Sequence, residues 1–346
     1  MRLYQNTLND MIVNFDTAAF SPKKCTQCTP EFSKVPVIYM RQRFLFKDNV
    51  AATVFVLPFV IGFLAFLIVP MIISLYYSMT DFNLLRDPRF IGVDNFVRMM
   101  SDERLFRSLR ATFYFAFVSV PLRLIFALAV AMFLLKSTKM MGIYRALFYL
   151  PSILGSSVAV AILWRRMFFV TGTVNSLLYD LNSLLNSIGL NVEINTSFSW
   201  LGDPNTAIWT LILLAVWQFG SSMLIFLASL KQIPETYYEA ARIDGAGKIK
   251  IFFKITLPLL TPTIFFNLVM QMINGFLAFN QAFLITQGGP MDTTNFFALY
   301  MFNQTFSFGN AGYSAAMAWL MIAILGVFTG FLFLTRRFWV YDGGMA

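Results

Sequence analysis

Six long apolar stretches are the feature that most restricts the folds open to this chain. They cover approximately residues 51–79, 111–135, 146–167, 207–230, 262–285 and 314–335. A helix that crosses a bilayer needs about 20 predominantly apolar residues, and every stretch reaches that length. We therefore predict an all-α membrane protein with six transmembrane helices.

The charge content agrees with a chain that contacts lipid. Charged residues make up 12% of the chain and hydrophobic residues 58%, whereas about 25% of the residues in a soluble domain are charged. The net charge of +9 is interpreted as loop charge that sets membrane orientation, and not as a sign of nucleic-acid binding. The absence of histidine removes the usual metal ligand and general base, which argues against a membrane enzyme.

The segments outside the apolar stretches predict the domain organisation. Residues 1–49 are polar and lack the apolar core of a signal peptide. We therefore predict a cytoplasmic N-terminal tail, a membrane domain over residues 50–339 and a C-terminal tail over residues 340–346. Cys25 and Cys28 form a CxxC pair in the first tail. A zinc site needs about four ligands, so incidental or redox-sensitive thiols are favoured, with a shared metal site as the alternative.

Lysine and arginine in the loops predict the orientation, because cytoplasmic loops carry an excess of both. The loops 169–206 and 286–313 contain neither, whereas the N-terminal tail, the second-to-third and fourth-to-fifth connections and the C-terminal end are basic. We therefore predict that those two loops face outward and that both termini face the cytoplasm. The first outer loop, 80–110, is an exception, with six arginines that five acidic residues offset.

The fourth-to-fifth connection, residues 234–258, predicts a short surface helix that ends in a bend. Pro234 suits a first helical position, where its missing N–H costs nothing. Glu235 in the first turn and Arg242 near the end complement the helix dipole. Gly245 can adopt the left-handed conformation that ends a helix.

A second helix is predicted to start over residues 248–256, with Pro258 and Pro262 marking the turn into the fifth stretch. This stiff, exposed corner is joined directly to a membrane helix. It can therefore act as a lever on that helix.

The same connection carries a motif that resembles the signature of ABC-importer permeases. The signature is EAA, three residues, Gly, nine residues, Ile, one residue and Leu-Pro, and the chain matches every interval. The resemblance implies the type I ABC importer permease fold and a corner that docks in a groove on an ATP-hydrolysing subunit. The residues that it assigns to ATPase coupling are Glu239, Ala240, Ala241, Asp244, Gly245, Ile255, Leu257 and Pro258.

The resemblance extends over about residues 55–339 and narrows to the carbohydrate-uptake permeases of the maltose and glycerol-phosphate type. Two departures stand out: Ala111-Thr112 replaces the usual Asn-Thr, and Asn280 stands where Asp is common. Short matches that keep the same order along the chain include Trp200-Leu-Gly-Asp-Pro204, Thr286-Gln-Gly-Gly-Pro290 and Gly312-Tyr-Ser-Ala-Ala316.

This resemblance implies a function, a location and partners. The chain is expected to form the pathway for a sugar, oligosaccharide or related polyol in a bacterial cytoplasmic (inner) membrane. An extracytoplasmic solute-binding protein would deliver the solute, a second and homologous permease would complete the pathway, and two ATPase subunits would bind ATP and magnesium. No cofactor is expected on this chain. An amino-acid, peptide or polyamine permease is the alternative within the same class.

Two other functions are less compatible with the sequence. Gly245-Ala-Gly-Lys248 resembles the end of a phosphate-binding loop, but the earlier Gly falls at Arg242 and the Ser or Thr after Lys is Ile249. We therefore expect no nucleotide site. An ion-coupled secondary transporter favours acidic residues inside its spans as proton or sodium ligands, and the six stretches contain none.

Polar residues inside the apolar stretches are candidates for the substrate pathway, because such residues tend to face the bundle interior or a wet cavity. Amides both donate and accept hydrogen bonds, which suits hydroxyl-rich ligands, and nearby phenylalanines (Phe276, Phe279 and Phe283) could stack on sugar rings. The alternative is hydrogen bonding that only holds the helices together. The candidates are Asn267, Gln271, Asn274, Asn280, Gln281, Trp217, Gln218 and Arg123, of which the first three share one predicted helix face.

Overall fold

The computed structural model describes residues 45–135, 140–189, 195 and 197–341, with side-chain surroundings from residue 53 onward. Within this part of the chain the regular structure is helical, apart from isolated bridges at Thr80–Phe90 and Asn83–Arg86. The predicted all-α class is therefore confirmed. The chain divides into two compact units, residues 1–62 and 63–346.

The helices are numbered in chain order. They are α1 Leu45–Phe63, α2 Val69–Ser78, α3 Asp94–Ser101, α4 Glu103–Phe133, α5 Met141–Leu154, α6 Val158–Met167, α7 Thr173–Ser187, α8 Ala207–Trp217, α9 Gly220–Gln232, α10 Glu235–Ile243, α11 Lys248–Ile251, α12 Leu257–Phe276, α13 Phe297–Phe306 and α14 Ala311–Trp339. Single π-helical turns lie at Leu64–Ile68, Phe252–Thr256 and Ala282–Thr286.

Four of the described helices are long and apolar enough to cross a membrane: Thr53–Ser78, Glu103–Phe133, Lys248–Phe276 and Ala311–Trp339. Two pairs reach the same length only when they are taken together. The pair α5 and α6 bends by 93°, and the pair α8 and α9 bends by 40°. Helices thus occupy most of all six predicted stretches, and two of the stretches are bent near their middle.

The long helix α4 lies at the centre of the bundle. It packs against α8, α9, α12 and α13. Ala116, Ala127 and Ala131 on α4 are fully buried, and small residues of this kind let helix backbones approach closely. Gly275 on α12 faces this helix so closely that an added Cβ would lie 3.2 Å from the Cβ of Ala116.

The predicted boundaries need correction at several helices. The second stretch was expected to begin at residue 111, but α4 begins at Glu103 because Asp102 caps it, accepting hydrogen bonds from the N–H groups of residues 104 and 105. The fifth stretch was expected to reach residue 285, but α12 ends at Phe276. α1 begins at Leu45, within the predicted tail.

The expected turn at Pro258 and Pro262 is wrong. The helix runs without interruption from Lys248 to Phe276. Proline cannot donate to the carbonyl one turn earlier, and its ring crowds that carbonyl. A π-helical turn over Phe252–Thr256 precedes Pro258, and such a turn accommodates the irregularity without ending the helix.

Candidate functional site

A polar cavity lies where three helices are interrupted. The interruptions are the bend between α5 and α6, the bend between α8 and α9, and the end of α12. Non-helical backbone at membrane depth is tolerated where it lines a wet cavity, and transporters bind solutes at such broken helices. The cavity has a volume of about 330 Å³ and is lined by Phe115, Ser119, Val120, Arg123, Ser156, Ala215, Gln218, Ser221, Gln271, Asn274, Gly275, Leu277, Ala278, Phe279, Asn280 and Gln281.

Gln218 connects two of the interruptions. It follows the last residue of α8, and its side chain is only 8% exposed. Its Nε2 donates to the carbonyl oxygen of Gly155, 3.1 Å away, at the bend between α5 and α6. A Cβ on Gly155 would lie 2.3 Å from the Cγ of Gln218. The contact therefore requires glycine at position 155.

Arg123 brings a positive charge to the same place. Its Nη2 donates to the backbone carbonyl oxygen of Gln218. Its Nε is buried and has no hydrogen-bond partner among the described residues. No acidic side chain is among the residues that line the cavity. The guanidinium group therefore has a backbone partner but no counter-ion within the described chain.

The end of α12 supplies the amides of the cavity. Gln271 is 7% exposed, and its Nε2 donates to the hydroxyl of Ser222 on α9 at 3.0 Å. Its Oε1 has no partner within the described residues, so it can accept a further hydrogen bond. Asn274 lies one turn further along α12, and Asn280 and Gln281 follow the end of that helix.

The structure separates the remaining candidates from the cavity. Asn267 is 1% exposed and donates to the carbonyl oxygen of Thr263 within α12 at 3.2 Å. The ring of Trp217 lies 6.0 Å from that of Trp164, although Trp217 precedes Gln218 in sequence. The two consecutive candidates therefore lie in different surroundings.

The three phenylalanines also have different surroundings. Phe279 lines the cavity and stacks on Phe283, with 5.2 Å between the ring centroids. Phe276 is fully buried and meets Phe113 edge to face, so it belongs to the core. Sequence reasoning missed three serines of the cavity, Ser119, Ser156 and Ser221; hydroxyl groups inside apolar stretches were the available signal.

The corner after α9 has the expected backbone geometry, with one shift. Pro234 is the N-cap of α10 and not its first residue. At the other end, Gly245 has φ +73°, its N–H donates to the carbonyl of Arg242 at 3.0 Å, and the N–H of Ala246 donates to that of Ala241 at 2.9 Å. This pair of hydrogen bonds is a Schellman motif. The predicted left-handed cap at Gly245 is therefore present.

The corner exposes most of its motif residues. No residue of α10 is buried. Glu239, Ala240, Asp244 and Gly245 are exposed, while the later motif residues, Ile255, Leu257 and Pro258, are half-buried where the next helix enters the bundle. The hydroxyls of Tyr238 and Thr256 lie 3.3 Å apart and connect the two halves of the motif.

Asp102 connects the N-terminal end of α4 to two other helices. One carboxylate oxygen accepts hydrogen bonds from the hydroxyls of Tyr300 at 2.7 Å and Tyr313 at 2.6 Å. Burial alone would raise the pKa of this carboxyl group, but the hydrogen bonds from Tyr313, Tyr300 and two backbone N–H groups outweigh burial and lower the pKa. The charged carboxylate thereby joins the start of α4 to α13 and α14.

Ion pairs at the same end connect two loops that were predicted to share one side of the membrane. Arg104 and Arg107 lie 3.3 and 3.8 Å from the carboxylate of Asp292. The unexpected arginines of the loop 80–110 are thus partly neutralised by the loop 286–313. This pairing agrees with a common side for both loops, while the side itself stays a prediction.

No metal site is found in the described part of the chain: no group of three or more His, Cys, Asp or Glu residues could hold an ion there. Cys25 and Cys28 lie outside the described residues, as do residues 342–346 of the predicted C-terminal tail.

Comparisons with known proteins converge on one family. Residues 90–338 match the family described as "Binding-protein-dependent transport system inner membrane component". The "Probable ABC transporter permease protein YesP" of Bacillus subtilis (strain 168) is 49% identical over 304 residues, which cover 87% of this chain and 95% of that protein. The "Trehalose/maltose transport system permease protein MalF" of Thermococcus litoralis is 30% identical over 276 residues, 79% of this chain and 89% of that protein.

A solved structure shares the fold. It is a chain of a bacterial ABC transporter involved in the import of the acidic polysaccharide alginate, matched with a TM-score of 0.67 at 21% identity over 84% of this chain and 97% of that chain. At this identity the likeness bears on the fold alone, and it confirms the importer permease fold that the EAA-type motif implied.

Proposed function

Since this chain belongs to the family of binding-protein-dependent transport system inner membrane components, and is thus a multi-pass permease and not an enzyme, we propose that its polar cavity is part of the pathway of an ATP-driven importer. The solute is a sugar, an oligosaccharide or a related polyol. The corner around α10 receives the movement of an ATPase subunit.

The observation that carries this proposal is the continuity between the corner and the cavity. Gly247 ends the corner, and the helix that starts at Lys248 runs to Phe276. Gln271 and Asn274, near its far end, line the cavity. At about 1.5 Å per residue, this helix spans roughly 40 Å. A displacement of the corner therefore reaches the cavity through one continuous helix.

The cavity suits a hydroxyl-rich solute. Amides and hydroxyls line it, and they can donate and accept hydrogen bonds with sugar hydroxyls. Phe279 adds an apolar face. The names of several relatives point to carbohydrates, such as the "Arabinooligosaccharides transport system permease protein AraP" and the "Lactose transport system permease protein LacF". Arg123 disfavours a cationic solute such as a polyamine, because like charges would meet in the cavity.

The partners follow from the same reasoning. A second, homologous permease completes the pathway. Two ATPase subunits bind ATP with magnesium, and one of them accepts α10 in a surface groove. An extracytoplasmic binding protein delivers the solute; a related bacterial alginate ABC transporter has been solved in complex with its alginate pentasaccharide-bound periplasmic protein. ATP-driven closure of the ATPase pair then alternates access to the cavity.

Reconstitution tests this function. The two permeases and the ATPase subunits are purified together, placed in liposomes with ATP inside, and given labelled saccharides with the binding protein outside. We expect uptake that requires ATP and the binding protein and survives ionophores. Uptake that ionophores abolish, without any need for ATP, would identify an ion-coupled carrier instead.

The orientation has its own test. Met291 is 83% exposed in the predicted outer loop, and Ile243 is 87% exposed in the predicted cytoplasmic corner. In a chain with Cys25→Ser and Cys28→Ser, a single M291C should react with an impermeant thiol reagent in intact cells, and a single I243C only after lysis. The reverse pattern would invert the predicted topology.

A further inference from the structure

We infer that Arg123 makes the cavity selective for a saccharide with one negative charge, carried by a carboxylate such as that of a uronic acid. The inference rests on the proposed function, since it names the substrate class of the same cavity. Three features carry it: the uncompensated charge of Arg123, the residue at position 280, and the match between one guanidinium group and one carboxylate.

The charge of Arg123 has no counter-ion in the described chain. The backbone carbonyl of Gln218 accepts a hydrogen bond from one of the five N–H groups of Arg123. The Nε of Arg123 is buried without a partner among the described residues. A charged side chain at membrane depth is costly and is normally paired or directed at a water-filled path. No carboxylate among the cavity-lining residues provides that pair. A negatively charged solute would provide it during passage.

Position 280 shows how the cavity keeps this charge. Asn280 lines the cavity together with Arg123, and its side chain is a neutral amide. An aspartate there would place a negative charge in the same cavity and offset the arginine. The amide of Asn280 offers hydrogen bonds without a charge. The combination of Arg123 and Asn280 therefore leaves the cavity with a net charge of about +1.

The single cation fits a carboxylate better than a phosphate ester. A guanidinium group presents its donors as a planar fork that matches the two oxygens of a carboxylate. A phosphate ester carries a charge of about −1.5 to −2 at neutral pH, which one arginine does not neutralise. Gln271, Asn274 and the cavity serines remain for the hydroxyls of the sugar.

The test uses the whole importer in liposomes with two matched solutes. One is a uronate-containing oligosaccharide, and the other is the same oligosaccharide with each carboxyl group reduced to a primary alcohol. The affinity of the binding protein for both is measured separately, and uptake is compared at saturation of the binding protein. We expect the charged solute to be taken up faster, by about tenfold or more, because hydrogen bonds to charged groups are the stronger ones.

Variants test whether Arg123 causes the preference for the charged solute over the neutral one. Arg123→Gln should remove it, Arg123→Lys should keep part of it, since the charge stays and the fork is lost, and Asn280→Asp should reduce it. Arg165→Gln is the matched control, because it removes one exposed positive charge from a residue that does not line the cavity. It should leave the ratio of the two uptake rates unchanged.

The outcomes separate this inference from the proposed function. ATP-dependent uptake of the neutral saccharide alone, or an unchanged ratio in both Arg123→Gln and Asn280→Asp, would overturn the inference while the importer function stands. A loss of complex assembly in Arg123→Gln, with no change of ratio in Asn280→Asp, would show that Arg123 pairs with a carboxylate of the second permease, which also overturns it. Absence of any ATP-dependent saccharide uptake would contradict the proposed function itself.

Discussion

The corner around α10 and the cavity at the broken helices differ in how they use their side chains. At the corner no helical residue is buried, and Glu239, Ala240, Asp244 and Gly245 are exposed. In the cavity, Gln218 is held by a hydrogen bond to Gly155 at the other bend, and Gln271 by one to Ser222 on α9. An exposed surface that its own chain leaves uncovered is suited to binding a protein partner. Polar side chains that their own chain already holds in place are suited to binding a solute.

The comparison predicts that changes at the corner act through a partner and changes at the cavity act on the solute. The largest expected effect is that of Ala241→Asp, on the half-buried side of α10. A carboxylate buried in the ATPase groove without a partner is strongly unfavourable. We expect uptake to be abolished and the ATPase subunit to be lost from purified complexes.

The matched control for Ala241→Asp is Thr236→Asp, which adds the same charge at an exposed position in the first turn of the same helix. An acidic residue near a helix N-terminus is favourable, so uptake should persist. Normal uptake and normal ATPase retention in Ala241→Asp, at matched expression, would show that α10 does not dock in this way.

The second prediction concerns the fit between the two bends. In Gly155→Val the new side chain collides with Gln218, because even a Cβ would lie 2.3 Å from its Cγ. Gln218 must move, and its hydrogen bond to position 155 is lost. We expect uptake to fall about tenfold or more, while the ATPase subunit stays bound.

Gly142→Val is the control for this change, because Gly142 lies in α5, the helix that Gly155 caps, and an added Cβ at position 142 meets nothing within 4 Å. It should leave uptake near the wild-type rate. If Gly155→Val released the ATPase subunit, the separation between corner and cavity would be lost, because a change at a bend would then act like a change at the docking surface.

The third prediction removes single amides from the cavity. Gln271→Ala and Asn274→Ala each delete a hydrogen-bonding group that faces the cavity. Since one hydrogen bond contributes about 0.5–1.5 kcal/mol, we expect the apparent KM for uptake to rise about two- to tenfold, with basal ATP hydrolysis unchanged. Asn267→Ala, on the same helix but outside the cavity, should leave KM unchanged. Equal effects of all three would favour helix–helix packing as the role of these amides.

The two regions also differ in how far the sequence could predict them. The corner depends on short-range spacing, so the motif intervals and Gly245 were sufficient to place the helix, its end and its cap. The cavity depends on helix breaks inside apolar stretches. The local composition does not show that α8 ends at Trp217, or that the side chain of Gln218 reaches the bend between α5 and α6.

The sequence also could not predict which residues along one helix face lie beside the cavity. Asn267, Gln271 and Asn274 share a helix face as predicted, but the cavity opens only beside the last two. The expected turn at Pro258 is absent because the helix from Lys248 to Phe276 continues through a π-helical turn at Phe252–Thr256. Tertiary contacts decide such features, and single-sequence patterns do not contain them.

The smallest expected effect separates backbone geometry from side-chain contact at the corner. Gly245 and Gly247 both have open space where a Cβ would be added, but only Gly245 has a positive φ, +73°, whereas φ at Gly247 is −70°. Gly245→Ala therefore destabilises the capped corner by about 1 kcal/mol, and Gly247→Ala does not. If the docked form of α10 requires the cap, a cost of that size lowers the apparent affinity for the ATPase subunit about fivefold. Titration of the purified permease pair with the ATPase subunit measures this difference, and equal affinities for the two variants would show that docking does not depend on the left-handed turn.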